Sequence, residues 1–112
     1  MDKPIDWRGS SLDDLREFPE APRKRAGYEL RKLQRGELPD DWRPFPEAGR
    51  GVNEIRIDSQ DGWFRVMYVA KFEEAIYVLH SFQKKTRKTS RGDVEIATTR
   101  YRAVVRERKT LK

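Results

Sequence analysis

The 112-residue chain contains no cysteine and a single histidine. The first absence removes disulfides, thiolate metal sites and a cysteine nucleophile together. The second removes any multi-histidine metal centre. No stretch approaches the ~20 apolar residues that a membrane-crossing helix needs. The opening segment, Met1 to Trp7, lacks the apolar core of a signal peptide. Gly49-Arg50-Gly51 has too few glycines for a phosphate-binding fingerprint, and no strand is expected before it. The expectation is a cytoplasmic protein without membrane contact, metal or cofactor. Its chemistry falls to lysine, arginine, carboxylates and aromatics.

Charge is plentiful. Charged residues make up 39% of the chain and hydrophobic residues 36%, so a compact core must carry a heavily charged surface. At 13.3 kDa the chain has the size of one domain, residues 1–112. Up to Gln83 there are 14 basic and 16 acidic residues; from Lys84 to Lys112 there are 11 basic and 3 acidic, a net of +8. The whole positive excess therefore lies in the last quarter. Such asymmetry points to a polyanion, most commonly nucleic acid. A solvated basic helix is the plainer alternative.

Two helices are expected first. Ser10 or Ser11 caps a short one carrying Leu12, Leu15 and Phe18, which Pro19 ends. A second starts near Pro22 and runs to Arg35 with Gly36 as its stop. Ala26, Leu30 and Leu33 give it one apolar stripe, and Gly27 inside it is explained by close packing. The two form a hairpin. Glu37 to Gly51, with three prolines, reads as loop. Val52 to Asp58 alternates as a strand, and Ser59 to Gly62 is a turn by composition. Trp63 to Ala70 and Ala75 to Phe82 are nearly continuous apolar runs, which suits strands covered on both faces. The four-residue link between them makes the pair antiparallel. Ser90 and Asp93 then open a helix whose stripe is Ala97, Tyr101, Val104 and Val105. The order is ααβββα, an α+β domain.

One constellation stands out. Arg56, Arg65 and Lys84 or Lys85 fall at matching ends of neighbouring strands. An unpaired guanidinium at Arg65, inside Trp63 to Tyr68, is costly to bury. It must pair with an acid such as Glu54 or Asp58, or open onto a cleft and grip phosphate. Phe82 and Tyr68 are candidate stacking surfaces for bases, although strand aromatics are more often core. Lys84 to Arg91 holds five basic residues and no acid. A lone His80 without triad partners reads most simply as a hydrogen-bonded strand histidine.

Trp7-Arg8-Gly9-Ser10-Ser11-Leu12, Asp14-Leu15-Arg16 and Phe18-Pro19 resemble the opening of the phage-derived Gp49-like proteins. Leu33-Gln34-Arg35-Gly36, Gly49 to Ile55, Phe64 to Tyr68 and Val78 to Thr86 match further pieces of that family in order. The family belongs to the RelE/ParE toxin superfamily, and many members are HigB-type toxins. The resemblance implies a RelE-like α+β domain of two N-terminal helices, an antiparallel β-sheet and a C-terminal helix.

It also implies a function: the toxin of a type II toxin–antitoxin pair, a metal-independent endoribonuclease that cleaves messenger RNA at the ribosome. The 2′-hydroxyl attacks the adjacent phosphate, a base takes its proton, and cations stabilise the phosphorane. By position, Arg56, Arg65, Lys84 and Lys85 become the catalytic residues. Phe82, Arg87, Lys88, Arg91 and His80 become RNA contacts. Glu54 stands where RelE has a second lysine, so the general base falls to Lys84, Lys85 or His80, and Glu54 becomes an anchor for Arg56 or Arg65. The implied partners are the ribosome, mRNA and a helix-turn-helix antitoxin of HigA type. ParE-like members instead bind DNA gyrase without nuclease activity, and a non-catalytic phage RNA-binding protein is the third reading.

Overall fold

In the computed structural model, residues 2–110 are described. The chain runs β1 (Ile5–Trp7), α1 (Ser11–Arg16), α2 (Glu20–Gln34), β2 (Trp42–Pro44), β3 (Val52–Ser59), β4 (Gly62–Val69), β5 (Ile76–Lys84) and α3 (Arg91–Thr110). The strands form one sheet in the order β1-β5-β4-β3-β2. Its centre is the expected antiparallel meander. β1 adds a parallel edge beside β5, so the sheet is mixed. β2 lies inside the stretch read as loop, and it tolerates Pro44 because it is the opposite edge.

The apolar runs of β4 and β5 are covered on both faces, as their composition requires. Phe64, Val66, Tyr68, Ile76 and Val78 meet α1 and α2 through Leu15, Phe18, Ala26, Leu30 and Leu33. Met67, Val69, Tyr77, Leu79 and Phe82 join Ala97 and Val104 of α3 on the other face. α1 lies against β5 and α2 against β3, so the helices share a face rather than closing only on each other. Gly27 is the exception to the packing argument: it is exposed, and a Cβ there would meet nothing within 4 Å. Gly49 is the close approach instead, because the Tyr101 ring occupies the space a side chain would take. The Tyr101 hydroxyl then donates to the Arg50 carbonyl at 2.8 Å and pins α3 to the β2–β3 connection.

One irregularity decides which side chains share the α3 face. Met67 pairs with His80, but Tyr68 pairs with Val78, so Leu79 is bulged out of the ladder. A bulge reverses which residues face which side. Before it, Tyr77 and Leu79 face α3; after it, His80, Phe82 and Lys84 do.

Candidate functional site on the α3 face of the sheet

Cross-strand partners share a face, so the register lays out the site row by row. Nearest the helix are Glu54, Met67 and His80, followed by Arg56, Arg65 and Phe82, then Asp58, Trp63 and Lys84 at the far end. Arg43 of β2 lies beside Glu54. The structure thus brings Arg56, Arg65 and Lys84 together, and the bulge at Leu79 selects Lys84. Lys85 lies past the last paired residue and is exposed.

The arginines are held by carboxylates. Arg65, its side chain only 7% exposed, donates from Nη1 to Asp58 Oδ1 at 2.9 Å and to its neighbour's carbonyl on Phe64 at 2.9 Å. Arg56 forks onto Asp41, with Nε and Nη2 at 2.9 and 2.8 Å from Oδ1. Glu54 is fully buried; its Oε1 accepts from Arg43 Nε at 2.6 Å and lies 3.9 Å from Arg65 Nε. The expected anchor role of Glu54 therefore concerns Arg43 and Arg65 and not Arg56. Glu54 Oε2 and Arg65 Nε have no hydrogen-bond partner among the described residues. A buried carboxylate with one free oxygen keeps both guanidinium groups in reach of its charge.

Lys84 differs from its neighbours. Among the described residues it has no carboxylate partner. Partial burial, followed by the positive charges of Arg65, Arg43 and Arg56, pushes its ammonium below the ordinary lysine range, with Glu54 opposing. An amine so placed holds its proton less tightly than a surface lysine.

His80 is positioned for structure. It is buried, and its Nε2 lies 2.7 Å from Asp93 Oδ1 on α3. Burial lowers its pKa more than Asp93 restores it. Its ring stacks on Phe82 with centroids 4.7 Å apart. His80, expected as an RNA contact, is in the fold a buried ring hydrogen-bonded to the start of α3. Asp93 in turn leaves the capping box half made, because its second oxygen accepts from Ser90 Oγ, which accepts the Asp93 N–H. Phe82, also buried, forms the floor of the face and not an open platform. Tyr68 is buried on the opposite face, its hydroxyl pushed up to about 12 by burial.

Arg87, Lys88 and Arg91 are exposed and line one side of a cleft of about 870 Å³, with Arg43 and Phe45 on the other. Arg43 thus joins the cleft to the sheet face. Sequence reasoning missed Arg43, hidden in a proline-rich stretch, and Trp63. The second had a signal: its parity with Arg65 along β4 puts it on the same face.

Among the described residues no three His, Cys, Asp or Glu side chains group to hold a metal ion, and no helix is long and apolar enough to cross a membrane. Comparison with known proteins agrees with the fold. The family described as phage-derived protein Gp49-like matches residues 13–102. Among solved structures, the chain is similar to the E. coli toxin RelE, a double arginine-to-alanine mutant in the free state. That similarity has a TM-score of 0.62 and 12% identity over 93% of this chain and 99% of that one. No curated protein matches the sequence.

Proposed function

Because the chain belongs to the phage-derived Gp49-like family, within the RelE/ParE toxin superfamily, we propose that it is a toxin that cleaves messenger RNA at the ribosome. The observation that carries this reading is Lys84: an unpaired lysine with a depressed proton affinity, set among three arginines. A general base needs a pKa drawn toward the working pH, and a lysine reaches that state by burial and cationic neighbours. Lys84, uncharged, accepts the proton of a ribose 2′-hydroxyl. The 2′-oxygen bonds to phosphorus while the bond to the 5′-oxygen breaks. That oxygen takes up a proton from the Lys84 ammonium or from water. The products are a 2′,3′-cyclic phosphate and a 5′-hydroxyl.

Charge on the phosphorane is met by Arg43 and Arg56, both partly exposed. Arg65, buried against Asp58, acts through its positive potential, and Lys85 with Arg87, Lys88 and Arg91 steers the RNA backbone. A small helix-turn-helix antitoxin is the partner that silences such a protein in a cytoplasmic setting. One observation favours the non-nuclease reading, in which the target is DNA gyrase: Arg43, Arg56 and Arg65 are each tied to a carboxylate.

The test is purified protein in a translating extract, with mRNA ends mapped. Lys84→Ala is expected to lower cleavage by about 10²–10⁴-fold, the range for a positioned base. The wild-type rate rises with pH until the depressed lysine pKa is passed and then levels, and the variant loses that rise. Translation-dependent cleavage unchanged in Lys84→Ala rejects the base assignment. Gyrase-linked DNA damage without RNA cleavage rejects the nuclease.

A further inference from the structure

Four large apolar side chains stand exposed among the described residues: Tyr28, Leu38, Trp63 and Ile96. Three have ordinary surroundings. Tyr28 lies on α2 beneath Arg25 and Lys32, whose cations sit 5.3 and 5.7 Å from its ring centre. Leu38 lies in the α2–β2 connection and Ile96 on the outside of α3. Trp63 is on the charged end of the α3 face, opposite Lys84 on one side and Asp58 on the other.

Trp63 is 44% exposed. Among the described residues no cation sits over its ring and no aromatic packs on it. A half-exposed indole beside lysine and arginine is the combination that single-stranded nucleic acid uses: a π-surface for the base and cations for the backbone. The neighbours also give it direction. Directly opposed residues have Cβ atoms about 4.5–5.5 Å apart, so Lys84 lies next to anything stacked on the indole. Asp58 would repel a phosphate, which keeps the backbone on the Lys84 side. Its Oδ1 is bound to Arg65. Its other oxygen is turned to no partner among the described residues, so it can accept from an exocyclic amino group.

We propose that Trp63 is a base-stacking platform that seats an amino-bearing purine of single-stranded RNA beside Lys84. A purine covers more of an indole than a pyrimidine does, and adenine offers the amino group that uracil lacks. The assignment rests on the nuclease reading for its meaning, but its binding test does not require cleavage.

The probes are 2′-O-methyl hexaadenylate and hexauridylate, which have no 2′-hydroxyl proton to lose. Affinity is read by anisotropy of the labelled oligonucleotide, and contact by quenching of tryptophan fluorescence, with Trp7 and Trp42 as the remaining emitters. The wild type is expected to prefer the adenylate. Trp63→Ala should weaken adenylate binding roughly 5- to 140-fold, the equivalent of ~1–3 kcal/mol of stacking, with a smaller loss on the uridylate. Trp63→Phe, which keeps the strand and a smaller ring, should recover part of the affinity without the quenching. Equal affinity of wild type and Trp63→Ala for both oligonucleotides overturns the proposal, even where mRNA cleavage by both is robust. Oligonucleotide binding lost in Trp63→Ala, in a protein that cleaves no mRNA, keeps the platform and rejects the nuclease. Unchanged RNA affinity with lost binding of the antitoxin gives Trp63 to a protein partner and overturns it too.

Discussion

The two faces of the central sheet are built by the same strands and end differently. On one face α1 and α2 cover the rows from Tyr68 to Phe64, so the apolar core runs nearly to the start of β4. On the other, the apolar cluster beneath α3 gives way in its last rows to arginine, aspartate, tryptophan and lysine. Residues 63, 64 and 65 are neighbours in one strand and belong to different worlds: exposed indole, core phenyl, buried guanidinium. The period of two separates the core from the candidate site at single-residue resolution. What a helix leaves uncovered is where the charge can be put to use.

The largest loss is expected from cutting the covered face. Phe64 is 2% exposed, and its ring lies 4.7 Å from that of Phe18. Phe64→Ala should cost about 3–5 kcal/mol in urea unfolding, by lost transfer and a residual cavity. Activity per folded molecule should persist. Trp63→Ala, one residue away, should do the reverse. If both variants lose stability equally, the two faces do not divide core from site.

Glu54→Gln probes the charged face. Neutralising a buried carboxylate that serves Arg43 and Arg65 leaves their charge less compensated, and a loss of about 1–3 kcal/mol is expected. The more specific readout is the pH profile. Glu54 raises the proton affinity of Lys84 against burial and the arginines. Its neutralisation should therefore move the rise of cleavage rate to lower pH, whereas a purely structural role would leave that rise in place.

Much of the fold was legible because it is local. The Ala26, Leu30, Leu33 stripe, the Gly36 stop and the two-sided apolar runs of β4 and β5 each depend on near neighbours. The edges were not. β1 and β2 have three residues each, and they exist because Ile76 to Val78 and Asn53 to Ile55 offer them ladders. The site was half legible for the same reason. Parity along β3 and β4 puts Arg56 and Arg65 on one face, but choosing Lys84 over Lys85 needs the bulge at Leu79, which no composition marks. The partners Asp41 for Arg56 and Arg43 for Glu54 come through the β2–β3 register. They became visible only with the missed strand.

The smallest effect concerns how α3 is held over its half-covered face. Near the helix end, Arg108 donates from Nε to Glu74 Oε2 at 2.5 Å and lies over the Phe72 ring at 3.7 Å. The Tyr77 hydroxyl donates to the same carboxylate oxygen at 2.8 Å. Arg108, foremost, holds the Glu74 carboxyl down to about 2 from an ordinary 4.5. A carboxylate depressed in the fold contributes stability above its unfolded pKa and loses it as pH falls through the folded one. The contribution is therefore complete above pH 4.5 and vanishes toward pH 2. Both partners are partly solvated, so screening keeps it small. Glu74→Gln should lower Tm slightly at neutral pH. Thermal melts across the acid range check the sign: the gap between variant and wild type should close as pH falls through that window. A gap that stays constant down to the lower limit would give the contribution to the hydrogen-bond geometry at Glu74 and not to its charge, and no gap at any pH would mean that packing of Arg108 on Phe72 holds α3 in place.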